Sequence, residues 1–283
     1  MKVQTYYPEN PILKTHIEYY YFLKNKSKDF SERYCSFPHI NHSFNIHKNV
    51  TCEIGSDYTF VREHNNNGHL AIIQGKYETP LSVHLKGRMD KITIIFKPLG
   101  FNHFIDKPFA CVASQPSQIF TEWQNDSDYL TLLNDFYSTE DNARRVQFLE
   151  LFLLSKYREL KDYSILKKAI AQLTDFKNEY SIEEITNNIG MNIRSFNRLF
   201  RDQLGISPSG FKKIARFRHS LENKLSNKQF KKLTEIGYES NFYDQSYFIK
   251  MYKKLTEDAP TTFFQSIEKL ADDQLIFKFI NEK

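Results

Sequence analysis

Glycine is scarce in this chain, nine residues in 283, and no cluster of them makes the loop that cradles a phosphate ahead of a helix. Cysteine is scarcer: Cys35, Cys52 and Cys111 are an odd, scattered set without a Cys-x-x-Cys pair, which argues against a disulfide framework or zinc knuckle and for three reduced thiols. No apolar run reaches the roughly eighteen residues that span a bilayer, and Met1-Lys-Val-Gln-Thr-Tyr lacks the apolar centre of a signal peptide. A cytoplasmic protein is expected. No Ser/His/Asp arrangement or metal-ligand set can be placed, so neither an enzyme nor a cofactor is expected.

What remains is ordinary for a globular chain: 40% apolar and 26% charged residues, with length enough for two domains. Net charge of +5 and a pI near 8.8 suit a nucleic-acid partner without establishing one.

The part that organises the rest lies between Ile182 and Phe263, because it says nearly the same thing twice. Ser181-Ile-Glu-Glu-Ile-Thr reads against Lys232-Leu-Thr-Glu-Ile-Gly, and Phe196-Asn-Arg-Leu-Phe-Arg against Phe248-Ile-Lys-Met-Tyr-Lys, a repeat of about fifty residues. Each copy reads as helix, short turn, helix and Pro-started helix. In the first, Ser181 and Glu184 are placed as a capping box, and Ile182, Ile185 and Ile189 share a face. Gly190 and Gly205 are placed to end helices, Asn192 to cap the second, and Pro208 to open the third. In the second copy Asn241 stands where Gly190 stood, Asp244 is the N-cap and Pro260 opens the last helix. Phe196, Leu199, Phe200 and Leu204 face inward in one unit; Phe248, Met251, Tyr252 and Leu255 do so in the other.

These residues resemble the DNA-binding domain of the AraC/XylS family of bacterial transcription regulators, over about Tyr163 to Gln265. The most specific portion is Glu235-Ile-Gly-Tyr-Glu-Ser-Asn-Phe-Tyr-Asp-Gln-Ser-Tyr-Phe, followed by Tyr252-Lys-Lys and Pro260. Thr186 and Gly237 depart from the small Ala usual there, and Asn241 and Glu257 from the usual Gly. Gly237 inside a helix costs about 1 kcal/mol against Ala, and Glu257 leaves its turn without the residue that takes positive φ easily, so the second unit is expected to be the looser.

Base reading needs side chains that present paired donors or acceptors in the major groove. Arg194, Asn197 and Arg198 in the first unit and Gln245, Ser246 and Lys250 in the second meet that need and fall where the family reads bases; Ile249 suits a thymine methyl. Arg201, Lys212, Lys253 and Lys254 suit phosphates. The plain alternative is a solvated polar helix face.

Upstream, Thr5 to about Pro98 is β-rich. Ile17 to Leu23, Ser43 to His47, Tyr58 to Val61, Leu70 to Gln74, Leu81 to Leu85 and Ile92 to Phe96 are aromatic and β-branched, separated by Pro, Gly and Asn. Regular short strands argue for a barrel or sandwich, and the resemblance implies a cupin-like effector barrel. His39-x-x-His42 with His47 invites a metal reading, but no carboxylate completes a ligand set nearby, and no metal is expected. Of the many aromatics, most are expected in the core and a few around an apolar pocket.

From Phe101 the pattern turns helical, over Asp126 to Tyr137 and Asn142 to Leu160. The second stretch carries Val146, Leu149, Leu153 and Leu160 on one stripe with Phe148 and Phe152 beside it. It needs more than one apolar partner: either it packs within the chain, or it also joins two subunits through residues 142–160, as the resemblance implies.

The expectation is thus an α+β protein: an effector-sensing and dimerisation domain at 1–162, a tandem helix-turn-helix domain at 163–266, and a tail at 267–283. Its partners would be double-stranded DNA, a small-molecule effector and a second copy, with RNA polymerase admitted. The alternatives are a regulator without small-molecule input and, less favoured, a cupin-type metal-dependent activity.

Overall fold

A computed structural model describes residues 3–65, 68–226, 244–270 and 275–280. In chain order the first domain contains β1 (Val3–Tyr6), α1 (Pro11–His16), β2 (Ile17–Asn25), β3 (Ser31–Ser36), β4 (His42–Lys48), β5 (Val50–Ile54), β6 (Tyr58–Glu63), β7 (His69–Ile73), β8 (Leu81–Lys86) and β9 (Met89–Phe96). A 3-10 turn at Phe101–Phe104, α2 (Phe109–Val112), β10 (Gln118–Ile119), α3 (Ser127–Ser138) and α4 (Asn142–Lys156) follow. The reader comprises α5 (Tyr163–Leu173), α6 (Ile182–Ile189), α7 (Ile193–Leu204), α8 (Pro208–Ser226), α9 (Gln245–Thr256) and α10 (Pro260–Ser266), and the chain ends with β11 (Glu268–Leu270) and β12 (Leu275–Phe279).

The strands form two six-stranded sheets, ordered β1-β2-β9-β4-β7-β10 and β11-β12-β3-β8-β6-β5. The chain passes from one to the other at Asn49, whose φ of 55° turns the corner between β4 and β5. Asparagine tolerates that left-handed conformation better than most residues.

Because side chains alternate across a strand, the first sheet has two faces of different character. Tyr20, Phe22, Phe44, Ile46, Ile92, Ile94 and Phe96 pack in one core with α3 and α4. Tyr19, Tyr21 and Leu23 turn to the other sheet, and the register pairs Asn45 with Thr93 and His47 with Lys91 between the apolar rows.

The apolar stripe of α4 belongs to this core. Leu149 and Leu153 are buried with Leu132, Leu133 and Phe136 of α3, where truncating either to alanine costs about 2–5 kcal/mol. The apolar demand of this stripe is met inside the chain, so a subunit contact through residues 142–160 would have to use other faces of that stretch. Leu151, on the opposite face, is 67% exposed. The helix also stops at Lys156, so Leu160 is outside it and packs against the reader instead. Two buried charges fix α4 on the barrel: Arg145 grips Asp90 at 2.9 and 3.2 Å, and Glu150 accepts from the Tyr20 hydroxyl at 3.2 Å and the Glu9 amide at 3.0 Å.

The core of the C-terminal domain is completed by the first domain. Phe37 and Leu99 are buried among Leu166, Phe196, Phe211, Phe217 and Tyr252, with the Phe37 and Phe263 rings 4.8 Å apart and nearly perpendicular. Leu99 sits there at φ 67°, a conformation that costs on the order of 1–3 kcal/mol for a branched side chain and persists only where packing imposes it.

The segment expected as a tail folds back as a hairpin. β12 adds to the edge of β3, pairing Phe277 with Ser36 and Phe279 with Tyr34, and so covers backbone donors and acceptors that an edge strand leaves open. Lys278 reaches Asp258 at 2.5 Å, tying the hairpin to the turn ahead of α10.

Candidate nucleic-acid interface

The first unit folds as its local signals dictate. The Ser181 hydroxyl accepts from the Glu184 amide at 3.1 Å while the Glu184 carboxylate accepts from the Ser181 amide at 2.7 Å, which satisfies two of the amides that a helix start leaves open. Gly190 at φ 68° ends α6, Asn192 caps α7 by accepting from the Ser195 amide at 2.8 Å, and Gly205 at φ 70° ends it. A Cβ at Gly205 would meet the Phe109 ring at 3.3 Å, so glycine there also lets α7 approach α2.

Phe196, Phe200 and Leu204 anchor α7 in the core, and that orientation leaves Arg194, Arg198 and Arg201 exposed. Asn197 is half-buried, and its amide donates to the Ile193 carbonyl one turn back at 2.8 Å. Its donor is therefore engaged by its own helix.

In the second unit Asp244 caps α9, accepting from the Tyr247 amide at 2.6 Å. Phe248, Met251, Tyr252 and Leu255 are buried, and the Tyr252 hydroxyl meets that of Ser220 on α8 at 2.8 Å. Gln245, Ser246, Lys250, Lys253 and Lys254 are exposed, and Ile249 is half-buried against the core. Glu257 closes the helix at φ 64°, the conformation its glycine-preferring position demands, at a cost of about 1–2 kcal/mol. The helix expected ahead of α9, with Gly237 and Asn241, lies outside the described residues.

The expected phosphate contacts divide. Arg201 and Lys253 are exposed. Lys212 is half-buried and donates to the Tyr180 carbonyl at 2.7 Å, and its burial lowers its pKa. Lys254 pairs with Glu78 of the sensor at 2.9 Å, and Lys213 joins the same carboxylate at 3.3 Å; hydrogen bonding from Lys254 holds Glu78 below the usual carboxylate range. Two of the four cations are thus engaged within the protein.

One residue at the junction was missed. Arg218 on α8 is buried and donates to the carbonyls of Pro38 and Phe37, both at 2.7 Å. Lys76 donates to the next three carbonyls, of His39, Ile40 and Asn41, at 2.9, 2.5 and 2.9 Å. The loop from β3 to β4 is thereby held between a cation of each domain. The signal was present, since Arg218 stands four after Ile214 and three before Leu221, on the inward stripe of α8.

Among the first domain's histidines, His39, His42 and His47 line one space between the sheets, and the His16 and His103 rings lie 3.9 Å apart. His39 accepts from the Asn41 amide at 2.9 Å, the His42 ring lies 3.9 Å from that of Phe109, and His47 lies further along β4. Among the described residues no group of three His, Cys, Asp or Glu is arranged to hold a metal, and no helix is long and apolar enough to cross a membrane.

Residues 185–266 match a family model described as a helix-turn-helix domain, and residues 4–116 match one described as a domain of unknown function, DUF6597. No curated protein matches the chain. Solved structures of ToxT from Vibrio cholerae are similar at low identity. One, at 1.65 Å resolution, is 14% identical with a TM-score of 0.46, covering 94% of this chain and 98% of that one. Another, with an unsaturated fatty acid bound, is 15% identical with a TM-score of 0.44, covering 86% and 94%.

The helix-turn-helix match and the capped, Pro-punctuated units define a DNA-binding transcription regulator. These features agree with the AraC/XylS resemblance carried by the sequence between about Tyr163 and Gln265.

Proposed function

We propose that this protein reads a specific DNA site through two successive major-groove segments, α7 in one and α9 in the next, under control of a small molecule held in the first domain. The observation that carries the reading is the pair of anchored helices exposing Arg194 and Arg198 on one and Gln245, Ser246 and Lys250 on the other. Between them runs α8, whose 19 residues span about 28 Å at 1.5 Å per residue. Successive major-groove segments on one face of B-DNA lie roughly 34 Å apart. Control from the first domain is supported by the shared core and by Arg218 and Glu78, which tie α8 and α9 to the barrel.

Selection of bound sequences from random DNA, followed by footprinting, tests the reading. The expected result is one preferred sequence with two protected patches about one helical turn, roughly 34 Å, apart. A single patch would leave α9 a structural element, and no enrichment at all would remove the sequence-specific reading.

A further inference from the structure

The inner faces of the two sheets enclose a cavity of about 100 Å³. His47 and Lys91 are register partners on β4 and β9, so their side chains leave the sheet side by side, and both line the space. Lys91 is 4% exposed. Its ammonium has three hydrogens to donate, yet the hydrogen bond formed is a long one to Asn45 Oδ1 at 3.4 Å, an atom that also accepts from the Thr93 hydroxyl at 2.7 Å. The Tyr21 ring, 5.6 Å away, adds a weak cation–π contact. Burial brings the Lys91 pKa down to about 8, which still leaves most of it charged at neutral pH.

Nothing in the described lining neutralises that charge. Lys91 and Arg218 are its Lys and Arg cations and none of its described residues is acidic; Arg218 is already committed to two carbonyls. Further polar atoms on the wall are buried without a partner: His47 Nδ1, Thr59 Oγ1 and Ser117 Oγ. Buried polar groups are nearly always paired, and an exception calls for a reason. Val61, Val83 and Leu85 give the wall an apolar part, beside polar side chains such as Asn41, Ser43 and Gln74.

We propose that this cavity binds a compact monocarboxylate, its anionic end received by Lys91 with His47 and Thr59 beside it and its short apolar body against Val61 and Leu85. The proposal rests on the reading of the first domain as ligand-controlled and names the class of ligand. One uncommitted cation fits a single negative charge. An apolar protein cavity of 150 Å³ admits benzene, so 100 Å³ admits about four non-hydrogen atoms on that scale, the size of acetate, with propionate and pyruvate bracketing the upper limit. The wall also includes Arg218 from α8 and Phe277 from β12, so a ligand here touches the elements that join sensor to reader.

The test uses the full-length protein in thermal-shift and calorimetric titrations with acetate, propionate and pyruvate, each against its neutral amide. Inorganic phosphate and nitrate serve as anions without an organic body. At least one carboxylate should raise the melting temperature saturably and bind at least tenfold more tightly than its amide. Lys91→Met should fold, since it removes an unpaired buried cation, and should lose that response, while Lys91→Arg retains part of it. Equal binding of acid and amide, a response to the inorganic anions alone, no carboxylate response at millimolar concentration, or an unchanged response in Lys91→Met each overturns the proposal. The acid-against-amide comparison on the wild type decides even if the variant is unstable. Specific DNA selection by a protein that ignores every carboxylate removes the ligand class and leaves the regulator intact.

Discussion

Sensor and reader treat buried polarity in opposite ways. In the reader, polar side chains sit at helix ends, where Ser181, Asn192 and Asp244 satisfy open amides, and most of its charge points outward. In the sensor, imidazoles are folded into the interior: His39, His42 and His47 are held neutral chiefly by burial, His16 is lowered to about 4, and His69 and His103 are lowered for the same reason. The reader's helix ends therefore rest on contacts close in sequence, whereas the sensor's interior depends on keeping water and protons out.

Acid should expose that difference most. A histidine whose folded pKa lies below its ordinary value near 6.5 leaves stability level above pH 6.5. Stability falls as pH drops from there toward about 4, because the unfolded chain takes up protons that the folded chain refuses. Six imidazoles act in the same direction, so melting temperature should decline steeply over that window. Emission from Trp123, the one tryptophan in the sequence and buried in the sensor core, follows the sensor directly. A melting temperature that stays level from pH 7 to 4.5 would contradict this account of the barrel.

The two helices α7 and α9 can then be set against each other. Arg198→Ala and Lys250→Ala should each weaken specific binding by about 1–3 kcal/mol, with preference relaxed in different parts of the site. Titrations against a panel of single-base variants separate the two. If Lys250→Ala matches wild type on every variant, α9 does not read bases.

Next in size come the helix ends. Gly205→Ala places a Cβ against Phe109 at positive φ and should destabilise by about 1–2 kcal/mol, whereas Glu257→Gly relieves a strained backbone and should stabilise by roughly 0.5–1 kcal/mol after its own unfolded-state entropy is counted. Denaturant unfolding of both variants checks the pair, and loss of stability in Glu257→Gly would show that its side chain compensates the strain.

The smallest effect concerns Glu78. Glu78→Gln removes the carboxylate that holds Lys254 and Lys213. If those lysines then meet phosphates, DNA binding tightens and its log–log salt slope steepens by about 0.9 for each new contact. An unchanged slope would assign both lysines to interdomain packing alone.

The sequence was most legible where a signal and its consequence lie within one turn of chain. Ser181 with Glu184, Asn192, Gly205, Asp244 and Pro260 each mark in the sequence an element end that the structure reproduces. The β-branched and aromatic runs marked β2, β4, β6, β7, β8 and β9 and left β1, β5 and β10 to β12 unmarked, while β3 escaped because Ser-Glu-Arg-Tyr-Cys-Ser is too polar to read as a strand. It is held by neighbours on both sides, β8 and β12. Among site residues, exposure of Arg194, Arg198, Gln245 and Lys250 followed from helical periodicity. The engagement of Lys212 with Tyr180 and of Lys254 with Glu78 did not, since each partner lies on another element.

The sequence by itself therefore determined six of the strands and the helices from α3 onward, where the reader's helices begin and end, and which side of α7 and α9 faces outward. All three follow from caps, turns and periodicities that act over a few residues. Only the tertiary structure decided that Leu149 and Leu153 are consumed inside the chain, that Phe37 and Leu99 complete the reader's core, that β11 and β12 return to the sensor's sheet, and that Lys91 meets no carboxylate among the described residues. Those outcomes depend on which surfaces meet across the fold. Apolar burial is non-directional, so a stripe of leucines states that it will be covered and leaves the identity of the cover to the packing of the whole chain.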